Sequence, residues 1–312
     1  MKKAESYIDE LIRDQALPSH YKDLVGDYLW PLVQDMMNLY RQRTTSVPWF
    51  VGLQGTQGSG KSTVCLFIKA LLEKCFDLNV VILSLDDFYK TRKERELLAK
   101  EVHPLFATRG VPGTHDLALA NQVIDELSEL QAGESCFVPS FNKAIDDRRE
   151  KSQWQSIPGP INVILFEGWC VGVTPQANTS LAKAVNELER IEDANGKWRG
   201  FVNQQLETGY AQFYARIENL IALQAPSFKC VYQWRLLQET KLLEANKHTS
   251  DQTHQPLRIQ TPEEIERFIA HYERLTRFAL NILPELASWK ISLNEKHNMV
   301  SLTRNNNLVR LE

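Results

Sequence analysis

The sequence predicts an α/β fold, a doubly wound parallel sheet of about five strands flanked by helices. Three observations predict it. Mainly apolar runs at residues 49–53, 80–85 and 161–166 recur at wide intervals, with weaker runs at 229–232 and 289–293. The stretches between them carry helical periodicity. A glycine-rich loop follows the first run directly and opens a helical segment. Strands without polar alternation are buried on both faces, the condition of a parallel sheet covered by helices.

Residues 1–46 precede the first run and read as a helical N-terminal extension to a main domain at 47–312. Tyr7, Ile8, Leu11 and Ile12 share one helical face. Tyr21, Leu24, Val25, Tyr28 and Leu29 repeat the same spacing. Pro31 either kinks this second helix or opens a third. Residues 62–73 form the helix after the glycine loop, with Val64, Phe67, Ile68, Leu71 and Leu72 on its inner side. Two helices are expected across 179–222, broken at the turn Asp193-Ala194-Asn195-Gly196. The polar stretch 246–260 reads as a loop. Thr261 then caps a helix, with Pro262 at its first position and Glu264 closing a capping box.

Bulk properties exclude several classes of function. The net charge of -3 gives no global field to recruit nucleic acid or anionic lipid. The five cysteines include no CxxC pair, so neither a disulfide framework nor a zinc site is expected, and a reducing compartment fits. No apolar run approaches the roughly 20 residues of a membrane span, and no apolar segment of a secretion signal follows Met1. The expectation is a soluble cytoplasmic protein that binds neither nucleic acid nor membrane. Its oligomeric state is left open.

The loop Gly55-Thr56-Gln57-Gly58-Ser59-Gly60-Lys61-Ser62 has the spacing G-x-x-x-x-G-K-[ST]. Glycines let the backbone turn tightly, so that successive N–H groups point at phosphate oxygens. The helix that follows adds the positive end of its dipole. Lys61 is expected to bridge the β and γ phosphates and Ser62 to place its hydroxyl on Mg²⁺, with Thr63 completing the nucleotide site. The fold is thus of the P-loop NTPase type.

Ligands of such sheets sit beyond the carboxyl ends of the strands. Asp86 and Asp87 follow the second strand, and Glu167 follows the third. Phosphoryl transfer to a hydroxyl needs a base for its proton and a metal for the developing charge. Asp86 is the candidate base and Glu167 the candidate metal-shell acid, with Asp86 also a candidate metal ligand. Arg109, Lys143, Arg148 and Arg235 are cations that an anionic acceptor would want. The string Asn142-Lys143-Ala144-Ile145-Asp146 is one residue too long for a guanine-selecting motif, which counts against a regulatory GTPase.

The loop 55–62, Ser84-Leu85-Asp86-Asp87-Phe88-Tyr89, Arg109-Gly110 with Gly113-Thr114-His115-Asp116, Phe166-Glu167-Gly168-Trp169 and Gln233-Trp234-Arg235 occur in this order. Together they resemble the D-glycerate 3-kinase family of P-loop kinases, relatives of uridine kinases, phosphoribulokinases and pantothenate kinases. The resemblance spans about residues 48–302. It implies ATP with Mg²⁺ and transfer of the γ-phosphoryl group to an alcohol, D-glycerate first among candidates. It implies Asp86 as base, Glu167 as metal acid, and Arg235 as the catalytic arginine leading into a lid at about 235–261. Asp87, Tyr89, Arg109, His115, Lys143 and Arg148 become the candidate substrate residues. Relatives carry an aromatic-Asp-Lys triplet where this chain has Phe141-Asn142-Lys143, so another small acceptor, a nucleoside or a pantothenate-like alcohol, stays open. A nucleotide-dependent regulatory P-loop ATPase or GTPase is the remaining alternative. Asn294 and His297 are candidates for contact with adenine.

Overall fold

A computed structural model describes residues 1–247 and 262–305. Six strands form the main sheet: β1 (Trp49–Gly55), β2 (Val80–Ser84), β3 (Val163–Gly168), β4 (Asn219–Gln224), β5 (Trp289–Leu293) and β6 (Met299–Arg304). Their order is β6-β5-β4-β1-β3-β2. Every neighbouring pair is parallel except β5 and β6, an antiparallel edge that the sequence reading did not include. Every residue of β1 and β3 is buried, which is why these strands read as mainly apolar runs.

Successive side chains of β1 go to opposite faces. Trp49, Val51 and Leu53 enter one core. There they meet Phe67, Ile68 and Leu71 of helix α3 (Lys61–Phe76), with Ile8 and Ile12 of α1 (Glu5–Asp14) and Leu32 and Val33 of α2 (Trp30–Tyr40). Pro31 is the second residue of α2, directly after a π-helical turn at Val25–Leu29 that continues the preceding helix. Phe50 enters the other core, with Phe88, Phe166 and Phe213. That face is covered by α4 (Arg92–Glu101), α5 (Leu117–Glu129), α6 (Lys197–Gln205) and α8 (Pro262–Leu286). No helix among the described residues is long and apolar enough to cross a membrane.

One strand assignment is corrected. Residues 229–232 are not a strand but lie in helix α7 (Phe228–Lys247). Cys230, Val231 and Trp234 are the buried side of that helix. The true fourth strand, β4, begins in the last residues of the segment read as helix and runs past it. Leu220-Ile221-Ala222-Leu223 is too short an apolar run for periodicity to separate strand from helix. The break at 193–196 is where it was expected. Gly196 adopts a positive φ of 74°, and the Asp193 carboxylate accepts the N–H groups of Trp198 and Arg199 that open α6. Arg235 therefore sits on α7, as do residues 236–247 of the expected lid. The rest of that lid, most of the 246–260 loop and the Thr261 cap lie outside the described residues.

Candidate active site

The phosphate loop leaves β1 at Gly55 and enters α3 at Lys61. Gly58 has φ +74°, and a Cβ there would fall 2.8 Å from the Cβ of Trp234. Only glycine lets the loop lie this close to α7. Within the loop, Thr56 Oγ1, Gln57 Nε2 and Ser59 Oγ are buried without a hydrogen-bond partner. Buried polar atoms are normally paired, so a loop built this way fits a phosphate chain. Lys61, Ser62 and Thr63 begin the helix at the same point. The Ser62 hydroxyl donates to Glu167 Oε1 at 2.9 Å, and Glu167 Oε2 is buried and unpartnered. A hydroxyl and a carboxylate with spare lone pairs are the oxygen donors a hard divalent cation takes.

Asp86 stands at the end of β2, in a 3-10 turn capped by Ser84 Oγ. Its Oδ1 accepts the Tyr89 hydroxyl at 2.9 Å and its Oδ2 accepts Lys143 Nζ at 2.7 Å. Burial pushes this carboxyl up, but the cations of Lys143 and Lys61 outweigh it and hold the group well below the usual range. Lys143 is in turn raised by Asp86. Both oxygens of Asp86, expected also as a metal ligand, are thus engaged by protein donors. Lys143 arrives on a short hairpin that pairs Phe141–Asn142 with Asp147–Arg148.

Lys61, Asp86, Tyr89, Arg109, Lys143 and Arg235 converge on one cleft, with Gln57 at its rim. Four cations and the Asp86 carboxylate line this cleft. Arg109 is ion-paired with Asp146, and its segment is pinned at two carbonyls. Tyr272 Oη donates to Arg109 O and Trp169 Nε1 donates to Gly110 O, each at 3.0 Å. A Cβ at Gly110 would lie 2.0 Å from Tyr272 Oη, so the segment reaches its place only as glycine. The Arg235 guanidinium lies 5.2 Å from the centre of the Phe268 ring.

Three expected substrate residues stand behind this wall instead of in it. Asp87 accepts the Phe141 N–H at 3.0 Å and anchors the hairpin, and burial raises its carboxyl to about 6. His115 is buried, bonded through Nδ1 to Tyr210 Oη at 2.6 Å and stacked on Tyr89 at 4.5 Å. Burial lowers it to about 3, so it is a neutral brace for Tyr89. Arg148 donates to Tyr89 O and to Asp116. Short polar motifs locate such residues near a site, but packing decides which side of the wall they take. Asn294 Oδ1 accepts the Lys296 and Asn298 N–H groups of its own turn. His297 stacks at 4.2 Å on Trp234, the residue packed against Gly58. Among the wall residues that sequence reading left without a role, Trp169 stood inside a recognised motif. Phe268, Tyr272 and Asp146 carried no such signal.

Replacing Lys143 with methionine removes the nearest cation from Asp86. The Asp86 pKa is then expected to rise, because its charged form loses its main support. The acid limb of kcat/KM should move upward in pH in Lys143→Met. A limb that stays in place would show that Asp86 is not the titrating base.

Fold and phosphate loop together define a P-loop kinase. No protein-family model matches the chain. A Schizosaccharomyces pombe protein named uncharacterized kinase mug58 is 33% identical over 254 residues, covering 79% of this chain and 85% of that protein. The chloroplastic D-glycerate 3-kinase of Arabidopsis thaliana is 34% identical over 201 residues, 62% of this chain and 41% of the plant protein. A solved D-glycerate 3-kinase from Cryptococcus neoformans shares the fold with TM-score 0.72 at 24% identity, covering 92% of this chain and 100% of its own. The chain belongs to the D-glycerate 3-kinase-like family of P-loop kinases.

Proposed function

We propose that the protein transfers the γ-phosphoryl group of ATP to the alcohol of a small carboxylate acceptor, with D-glycerate giving 3-phosphoglycerate as the leading case. The observation that carries this reading is the Asp86 carboxylate, held ionised by Lys143 and Lys61 beside the phosphate loop. The loop and Lys61 bind the phosphates. Ser62 and Glu167 are the residues that would hold Mg²⁺, whose charge would offset that developing on the phosphoryl oxygens. Asp86 takes the proton of the attacking hydroxyl as its oxygen bonds to the γ-phosphorus and the bond to the bridging oxygen breaks, releasing ADP. Arg109 and Lys143 face the acceptor's own carboxylate, which binds and orients it for in-line attack. Trp169, Phe268 and Tyr272 line the cleft with apolar surface and limit competing water.

A coupled ADP-release assay with a panel of alcohols tests this. D-glycerate should stimulate release above the rate with ATP alone. Stimulation by uridine or pantothenate but not by glycerate would retain the reaction and replace the acceptor. Lys61→Ala should lower the stimulated rate by at least about 100-fold, as expected for a charge contact aimed at the transferring group. Retention of most of the activity in that variant would sink the assignment of the loop.

A further inference from the structure

Arg95 is a fully buried cation with no place in the chemistry above. It sits on α4 and uses all three of its nitrogens. Nε donates to Lys90 O at 3.3 Å and Nη1 to Ala107 O at 2.7 Å. Nη2 reaches both the carbonyl of Asp146 at 2.6 Å and its carboxylate Oδ2 at 2.9 Å. Asp146 has φ 57°, a left-handed conformation in the turn of the hairpin that carries Lys143. Its other oxygen, Oδ1, takes Nη1 of Arg109. One carboxylate is therefore shared between two arginines, one sealed in the interior and one at the cleft. The Phe141 ring faces both guanidinium groups, at 5.9 and 5.5 Å.

A buried guanidinium is costly to desolvate, and an apolar side chain of similar volume often serves stability as well or better. The hairpin also has anchors that need no side-chain cation, through Phe141 N–H on Asp87 and Arg92 N–H on Asp147. The charge of Arg95 thus calls for another account. With Arg95 present, the Asp146 carboxylate is divided and the pair of arginines keeps a net positive charge. With Arg95 gone, Asp146 would neutralise Arg109 alone and draw its fork away from the acceptor.

We propose that Arg95 is a positioning residue for acceptor binding, acting through Asp146 so that the charge of Arg109 is not fully offset and its fork stays aimed into the cleft. This rests on the reading of the cleft as the site of an anionic alcohol.

Two arms test it on the full chain. In the first, Arg95→Met and Arg95→Lys are compared with wild type in steady-state kinetics, using whichever alcohol stimulates ADP release. Arg95→Met should raise the acceptor KM about tenfold, the equivalent of one charge-assisted hydrogen bond, with the ATP KM unchanged. Arg95→Lys keeps the charge on Asp146 and should recover most of the acceptor KM. An unchanged acceptor KM, or equal losses for ATP and acceptor, overturns the proposal. In the second arm, denaturant midpoints are measured for Arg95→Met, Arg109→Met and the double variant. A shared carboxylate still has one cation after either single change and none after both. The double shift should therefore exceed the sum of the single shifts, and additive shifts overturn the proposal. If no alcohol stimulates ADP release, the functional reading fails while this second arm still decides the link between Arg95 and Arg109.

Discussion

Asp86→Asn is expected to lower turnover by roughly 100- to 10,000-fold, the range for losing a positioned general base. The ATP KM should change little, because the phosphate loop is built from β1 and α3 and does not use this side chain. The substitution is nearly isosteric, and Tyr89 and Lys143 remain around it, so the fold should persist. Two effects set the size of the loss. Phosphoryl transfer passes through a loose transition state in which little proton transfer is needed early, which limits the contribution of any base. Against that, the amide of asparagine presents a donor where Lys143 and Tyr89 also donate, so the site loses the counter-charge of Lys143 as well as its base. Single-turnover rates with saturating ATP measure the step directly. A variant that retains more than about a tenth of the wild-type rate lies outside the range for general-base removal and would assign Asp86 to acceptor orientation alone.

How much of this site could be read from the sequence follows from how local each part is. The phosphate loop was legible because one continuous segment makes the whole device, a strand, a turn that tolerates Gly58 at positive φ, and a helix start. Asp86 and Glu167 were legible because one stands just past a buried apolar strand and the other in the last residues of one, and strand ends in a parallel sheet point to one place. The inner strand β4 was not, since its burial pattern lacks alternation and its apolar run is no longer than a helical turn or two. Tyr272 and Phe268 reach the cleft from α8, more than 150 residues after Arg109, and nothing local marks one aromatic of an amphipathic helix as a site residue. The division of roles between Lys143 and Arg148 was equally hidden. Both belong to the same hairpin segment, and only its register sends one to Asp86 and the other to Tyr89 O and Asp116.

Glu189→Ala is expected to destabilise the fold by about 3–5 kcal/mol, as for a buried ion pair that loses one partner. Glu189 and Arg274 are 1% and 7% exposed. Their contact is bidentate, Nε to Oε1 at 2.7 Å and Nη2 to Oε2 at 2.6 Å. Arg274 also ties down the carbonyls of Ser180 and Lys183. Truncating Glu189 leaves the guanidinium buried without a counter-charge, whereas pairing Glu189→Leu with Arg274→Met removes both charges and should restore most of the stability. Equilibrium unfolding in urea distinguishes the two, and a loss below about 1 kcal/mol for Glu189→Ala would place this pair with exposed ones in effect. The consequence reaches the cleft. Arg274 lies on α8 two residues beyond Tyr272, whose hydroxyl holds the carbonyl of Arg109. The same helix turn that is anchored by the ion pair therefore presents the clamp on the acceptor arginine. The Glu189→Ala variant, assayed below its unfolding transition, should show a raised acceptor KM before its ATP KM moves.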